Sequence, residues 1–315
     1  MTDTAPDYRV LARKYRPTDF SGLIGQDAMV RTLTNAMESG RLAHAFVLTG
    51  VRGIGKTTTA RIIARALNCV DGPTTEPCGT CEHCTAIAED RHVDVLEMDA
   101  ASRTGVNDIR DILDGVRFRP TSARYKVYII DEVHMLSTAA FNALLKTLEE
   151  PPEHVKFIFA TTEIRKVPVT VLSRCQRFDL RRVPAKVLED HFASIVGQED
   201  ANVEPGALAV IAQAADGSVR DGLSLLDQAL ANRAGDEPVT ESEARDMLGL
   251  ADRSGVFELL DLLFGGDIKG ALGKADEHYR WGGDPAMIVQ DMLDVCHWLT
   301  RLRITPELAD DPTVA

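Results

Sequence analysis

The segment GVRGIGKTTTARIIARAL, Gly50 to Leu67, directly after the apolar run AFVLT, restricts the fold more than any other stretch of this chain. Four apolar residues and a threonine suit a buried strand, the loop that follows carries Gly50, Gly53 and Gly55, and the next residues suit a helix. Glycine lets backbone N–H groups turn inward around a phosphate chain, and a helix N-terminus adds its own partial positive charge. In the spacing GxxxxGK[ST], Lys56 supplies a cation for the outer phosphates and Thr57 a hydroxyl for magnesium, with Thr58 just inside the helix. A plain glycine turn between strand and helix would need neither the lysine nor the hydroxyl. The strand before and the helix after are the context this motif requires, so a phosphate loop is the better reading.

Strand-like and helical patterns alternate through about residue 180, which predicts an α/β fold: a parallel sheet with helices on both faces. The expected strands are Ala45–Thr49, Val93–Met98, Lys126–Ile130, Lys156–Ala160 and Gln176–Leu180. Beyond Pro184 the pattern becomes helical, at Val187–Val196, Gly206–Ala214 and Val219–Ala231, and then, past a loop over Asn232–Val239, at Ser254–Phe264, Ile268–Tyr279 and Pro285–Leu302. Three domains are expected, over 1–180, 181–240 and 241–315, ending in a polar, frayed ITPELADDPTVA. A net charge of −13 argues against a surface that binds nucleic acid indiscriminately, because such binding needs Lys and Arg to neutralise phosphates; any DNA contact must be local. There is no basic start followed by an apolar run and no membrane-length apolar segment, so a cytosolic setting is expected, where six cysteines serve as thiols or metal ligands.

Further candidates stand at the ends of the predicted strands. KVYIIDEVH closes an apolar strand with Asp131 and Glu132. The carboxyl ends of strands are where open α/β sheets bind ligands, so Asp131 could hold magnesium through water and Glu132 could deprotonate an attacking water. Acids placed to suit a helix N-terminus would explain this pair about as well, and only its combination with Lys56 favours the catalytic reading. In FATTE, Thr162 could bond the water or the terminal phosphate. Arg174 in SRC could reach a neighbouring subunit's nucleotide, and Arg220 in GSVRDG could close onto the phosphates. Taken singly, Arg174 reads better as a surface arginine paired with an acid, and Arg220 reads also as a first-turn surface residue.

Read in order, VLARKYRP, GVRGIGKT, DAASRTGVNDIRD, YIIDEVHMLS, FNALLKTLEEPPEHVKFIFATT, VLSRCQRF and GSVRDGLSLLDQA resemble the AAA+ ATPases of the bacterial DNA polymerase III clamp-loader family over nearly the whole chain. The resemblance implies an AAA+ P-loop sheet, a helical lid and a partial helical collar. It also implies that Cys69, Cys78, Cys81 and Cys84 form the family's zinc module, inserted at 69–84; a cage of four thiolates suits tetrahedral zinc and leaves no open position for catalysis. The alternatives are a redox CxxC, or His83 in place of one cysteine. Cys175 and Cys296 are expected to be packing residues or inert thiols.

The resemblance further implies an ATP- and magnesium-dependent subunit of a hetero-pentamer that opens a sliding clamp and closes it on primer-template DNA at the replisome in the bacterial cytoplasm. Within it, Ala12, Arg16 and Pro17 would line the adenine pocket. Lys56 and Thr57 would hold the phosphates and magnesium, and Glu132 would activate water. Thr162 would sense the terminal phosphate, Arg220 would act in cis and Arg174 in trans. Arg103, Lys146 and helix N-termini would follow DNA phosphates, with Gly105 standing where a basic residue would be expected. Residues 241–315 hold fewer helices than the family's collar, which implies a piece of a longer protein whose grip on the polymerase and the replicative helicase lies elsewhere. Competing classes are a non-hydrolysing clamp-loader scaffold, a different AAA+ DNA motor and a zinc nucleic-acid module. The intact phosphate loop and acids speak against the first, SRC and LEEPPEH against the second, and the lack of basic residues flanking the cysteines against the third.

Overall fold

A computed structural model of the chain describes residues 9–102, 105–232, 237–249, 253–280 and 284–306. Arg103, most of the expected loop after Asn232 and the expected frayed tail from residue 307 lie outside the described residues. The chain divides into two units: the part through Pro184 together with Gly217–Asp221, and Ala185–Asp216 together with the part from Gly222 onward.

The first unit contains, in chain order, α1 (Leu11–Lys14), α2 (Asp27–Glu38), β1 (Ala45–Thr49), α3 (Lys56–Asn68), α4 (Glu82–Ala88), β2 (Val95–Asp99), α5 (Val106–Val116), β3 (Lys126–Asp131), α6 (Thr138–Glu149), β4 (Val155–Thr161), α7 (Val169–Leu172) and β5 (Gln176–Asp179). The five strands form one parallel sheet in the order β2-β3-β4-β1-β5. Every residue of β1 and β4 is buried, as expected of parallel strands covered on both faces. Successive side chains of a strand point to opposite faces, so Ala45, Val47, Tyr128, Ile130, Phe157 and Phe159 enter a core that also takes Ile109, Leu144 and Val171 from α5, α6 and α7.

This strand order places the candidate site. The connection leaving β1 runs past β4 and β3 to β2, whereas the connection leaving β4 runs the other way, past β1 to β5. Neighbouring strands whose connections depart in opposite directions leave a crevice at their carboxyl ends, the usual ligand position in open α/β sheets.

Four strands fall within one residue of their expected bounds at each end, and β2 departs further at its start. β2 begins at Val95 rather than Val93, because residues 93–94 form a turn closed by Val95 N–H on the His92 carbonyl and the Asp94 side chain turns aside to other partners. The apolar Val93 counted as strand is exposed.

The second unit is helical: α8 (Ala185–Gln198), α9 (Pro205–Ala214), α10 (Val219–Ala231), α11 (Glu241–Met247), α12 (Arg253–Phe264), α13 (Ile268–Arg280) and α14 (Pro285–Ile304), with the first residues of α10 counted in the first unit. Gly222 is required by close packing, since a Cβ there would lie 2.3 Å from Phe192 Cζ. The sequence reading passed over α11, although Thr240 and Glu243 form a reciprocal capping box at its start. Helices α12 to α14 share a small core of Leu259, Ala271 and Ile288.

Candidate nucleotide site and metal centre

The loop between β1 and α3 takes a form that only glycine accommodates easily. Gly53 and Gly55 have φ of +73° and +97°, and a Cβ on Gly53 would lie 2.0 Å from Ser218 Oγ. Lys56 opens α3 and folds back, donating from Nζ to the carbonyls of Gly50 at 3.1 Å and Val51 at 3.0 Å. Burial pushes its ammonium below the usual lysine range, and the Glu132 and Asp131 carboxylates work against that shift. Thr57 donates from Oγ1 to Asp131 Oδ2 at 2.5 Å, so the hydroxyl and the carboxylate suited to a shared magnesium already meet. Thr58 is buried on α3 behind them.

Asp131 ends β3, and Glu132 follows in the left-handed region at φ 46°, an unusual conformation for a residue that is not glycine. The turn aims the Glu132 carboxylate at the tip of β4, where Oε2 accepts the Thr162 hydroxyl at 3.0 Å and the Thr162 N–H at 3.3 Å. Lys56, Thr57, Asp131, Glu132 and Thr162 thus come together along the carboxyl ends of β1, β3 and β4. The Arg220 N–H donates to the Gly53 carbonyl at 3.2 Å, which brings the start of α10 against the phosphate loop. Arg16 is held below arginine's usual range by desolvation, then by the guanidinium charges of Arg61 and Arg220. Ala12 and Pro17 are half-buried, on α1 and just beyond it.

Arg174 lies elsewhere. It precedes β5 and therefore stands at the amino ends of the strands, while the phosphate loop stands at their carboxyl ends. The four residues of β5 alone span about 13 Å. The Arg174 guanidinium donates to Glu149 Oε1 at 2.6 Å and to the Thr170 carbonyl at 2.6 Å, beside an open cleft of about 700 Å³ that His44, Leu148 and Cys175 also line. Lys146 is exposed on α6. Cys175 packs against the core, and burial pushes its thiol up to about 12, which suits the inert role expected of it.

Four cysteine sulfurs, of Cys69, Cys78, Cys81 and Cys84, all lie within 4.8 Å of one another. Tetrahedral zinc with Zn–S near 2.3 Å needs sulfurs about 3.8 Å apart, so this donor set fits the metal after a small contraction. Backbone N–H groups of Cys78, Cys81 and Cys84 point at the sulfurs of Cys69, Cys78 and Cys81 at 3.3, 3.4 and 3.4 Å. The N–H groups of Cys81 and Thr80 pull the Cys78 thiol down to about 6, whereas burial raises Cys84 to about 12. His83 stands outside this group and pairs with His92, Nδ1 to Nε2 at 2.9 Å. Asp94 N–H donates to His92 Nδ1, so the His92 proton sits on Nε2 and donates to His83.

Sequence reasoning missed several residues. His134 lies beside Glu132, with Nδ1 at 3.3 Å from Oε2; its position two after the acid was the available signal. Gln26 is buried and pairs with the backbone of Arg181 through both amide atoms, beside a cavity of about 280 Å³ at the carboxyl end of β5. Arg124 caps the carboxyl end of α3 by donating to the Leu67 and Cys69 carbonyls at 3.0 and 3.1 Å, and no local pattern announces it.

A five-stranded parallel sheet, a glycine-rich loop holding a lysine and a threonine, and two acids at a nearby strand tip define a P-loop fold of the AAA+ class. The RuvB Holliday junction branch migration motor of Thermotoga maritima shares this fold, with a TM-score of 0.56 at 20% identity over 79% of each chain. Three family models match in succession: DNA polymerase III, delta subunit, over 25–184; DNA polymerase III clamp loader subunit, ATPase lid domain, over 187–235; and DNA polymerase III subunits gamma and tau domain III, over 239–315. The chain is 44% identical over 304 residues to DNA polymerase III subunit tau/gamma of Haemophilus influenzae, covering 96% of this chain and 44% of that one. It is 46% identical over 286 residues to subunit tau of Bacillus subtilis, covering 91% and 50%. It is also 38% identical over 306 residues to subunit gamma of Buchnera aphidicola, covering 96% and 81%. The chain belongs to the DNA polymerase III tau/gamma subunit family. It spans about half the length of the Haemophilus and Bacillus relatives.

Proposed function

We propose that this chain is the ATP-hydrolysing motor part of a replicative clamp-loader subunit, in which ATP binding drives assembly with related subunits and hydrolysis releases a sliding clamp closed around primer-template DNA. One observation carries the reading: Lys56, Thr57, Asp131, Glu132 and Thr162 converge at adjoining strand tips, with Glu132 turned toward Thr162. Lys56 and the N–H groups around Gly50, Gly53 and Gly55 hold the phosphates, and Thr57 and Asp131 hold magnesium, which adds positive charge against the phosphate oxygens. Glu132 orients the attacking water and takes its proton. Thr162 bonds the terminal phosphate, Arg220 approaches it from the start of α10, and Ala12, Arg16 and Pro17 flank the base. Arg174, at the opposite end of the strands from its own phosphate loop, acts on the nucleotide of an adjoining subunit.

In this reading the nucleotide domain covers 1–180, the lid 181–240 and the partial collar 241–315. Zinc held by Cys69, Cys78, Cys81 and Cys84 has a structural role. Lys146, Arg103 and helix N-termini face DNA phosphates, and segments of the longer relatives' kind contact the polymerase and the replicative helicase. The setting is the replisome in the bacterial cytoplasm.

Glu132→Gln tests the reading: it should keep ATP binding and stop turnover, and full hydrolysis by this variant would remove Glu132 as the base. In a reconstituted complex of full-length protein, partner subunits, clamp and primed DNA, clamps should be loaded only with hydrolysable ATP. Loading with a non-hydrolysable analogue, released at the normal rate, would contradict the motor role.

A further inference from the structure

We propose that His134 is a positioning residue for Glu132, tying the base to the tip of β4 and thereby setting the turnover step rather than nucleotide binding. This rests on the ATPase reading above.

The left-handed turn at Glu132 leads into a short 3-10 turn, Val133–Met135, which carries His134 back alongside the acid it follows. The His134 side chain is 6% exposed. Its Nδ1 lies 3.0 Å from Thr161 Oγ1 and 3.3 Å from Glu132 Oε2, while Nε2 lies 3.8 Å from Glu163 Oε1, itself paired with Lys166 at 2.8 Å. An enclosed histidine is most often a satisfied packing residue, but these partners belong to the candidate site.

Thr161 is fully buried and connects three parts of that site. Its hydroxyl accepts the Glu163 N–H at 3.0 Å and meets His134, and its carbonyl faces the Gly50 N–H of the phosphate loop at 3.4 Å. The adjacent Thr162 donates twice to Glu132 Oε2. Oε2 is thus contacted from two sides, by Thr162 and by His134, and among the described residues no hydrogen bond engages Oε1. Oε1 is therefore the oxygen available to a water. A glutamate has three side-chain torsions to restrain, and a base displaced by about 1 Å loses on the order of a hundredfold in rate. Thr162 donates to the carboxylate from the β4 side, and His134, with its proton on Nδ1, would share it between Thr161 Oγ1 and Glu132 Oε2 from the side of its own turn.

The test uses full-length protein in the assembled complex with primed DNA, measuring ATP affinity, KM and kcat for wild type, Glu132→Gln, His134→Ala, His134→Asn and His134→Gln. His134→Ala should lower kcat about 10- to 100-fold while ATP affinity stays within about twofold. His134→Asn places an amide atom where Nδ1 sits and should recover most of the loss. His134→Gln reaches the Nε2 position instead and should not. Wild-type kcat in His134→Ala, a loss confined to affinity, or Gln rescuing as well as Asn would each overturn the inference. If His134→Ala folds poorly, the Asn and Gln pair decides by itself. Glu132→Gln separates the two levels: if it hydrolyses normally, the ATPase reading fails and this inference with it. If it is inactive while His134→Ala turns over normally, only the role of His134 fails.

Discussion

Thr57 donates from Oγ1 to Asp131 Oδ2 at 2.5 Å, joining the first turn of α3 to the end of β3 across 74 positions of sequence. Thr57 lies just after β1 and Asp131 ends β3, two strands that are not neighbours in the sheet; β4 lies between them. A hydroxyl and a carboxylate oxygen so placed are both hard ligands and can turn toward one small divalent cation.

Magnesium should therefore tighten ATP binding to the wild-type chain but not to Asp131→Ala, whose metal-free affinity should stay near that of wild type. Titration calorimetry with and without magnesium measures both, and an equal gain in the variant would remove Asp131 from the metal site. If Asp131 holds the metal as proposed, its loss should reduce turnover on the order of a hundredfold or more.

Gly53→Ala combines two faults, a side chain at φ +73° and a Cβ at 2.0 Å from Ser218 Oγ. Left-handed strain alone costs about 1 kcal/mol or more, and the clash adds to it. The variant should melt several degrees lower and bind ATP weakly, because the loop must open to fit the methyl group. Unchanged melting would show that the loop adapts without cost.

Asp94 is buried, and its carboxylate accepts the N–H groups of Thr121, Ser122 and Ala123 at 2.7, 2.9 and 3.0 Å. Burial alone would raise it, but the three donors win and hold its carboxyl below the usual range. Its stabilisation is therefore complete above the unfolded value of about 3.9 and is lost as pH falls through the lower folded value. Asp94→Ala, which removes the charged acceptor of three partly buried N–H bonds, should cost about 3 kcal/mol at neutral pH. The variant should also lose less stability than wild type on acidification below about pH 4, read from urea unfolding across that range. Parallel acid profiles would show that the carboxylate does not carry this effect.

Removing a metal from the cysteine cluster should loosen the carboxyl end of α3, since Cys69 caps that helix and Arg124 bonds the Cys69 carbonyl. Chelation of zinc-loaded protein should lower its melting temperature and expose Cys69, Cys78, Cys81 and Cys84 to thiol reagents, while Cys175 stays slow. Cys81→Ser should bind zinc at least about tenfold more weakly. Equal reactivity of these thiols with and without metal would argue against a four-thiolate site.

The ion pair between Arg174 and Glu149 is partly exposed, with side chains 31% and 53% accessible, so it contributes about 0 to 1 kcal/mol. Arg174→Ala should leave the melting temperature of the isolated chain nearly unchanged. In the assembled complex it should abolish DNA-stimulated hydrolysis, a loss of about a thousandfold or more for an arginine acting on a neighbouring nucleotide. An equal loss in the isolated subunit would contradict action in trans.

The phosphate loop was legible in the sequence because its conformation is encoded in contiguous residues: an apolar strand, glycines that permit positive φ, and a lysine and threonine opening a helix. The cysteine cluster was legible for the same reason, all four donors falling within 69–84. The helices beyond Pro184, α11 excepted, could be placed from their apolar spacing, whereas the first residues of β2 could not, because Asp94 is drawn to N–H groups of residues 121–123, far along the chain. Tertiary structure alone set the strand order that brings Asp131 to Thr57 across β4, whereas the place of Arg174 at the opposite end of the strands from the phosphate loop follows from its position before a strand of a parallel sheet. It alone set the left-handed turn that lays His134 beside Glu132 and Thr161. Local pattern records the backbone preferences of neighbouring residues; which distant groups meet is decided when the sheet buries both its faces, and by then the partners are dozens of residues apart.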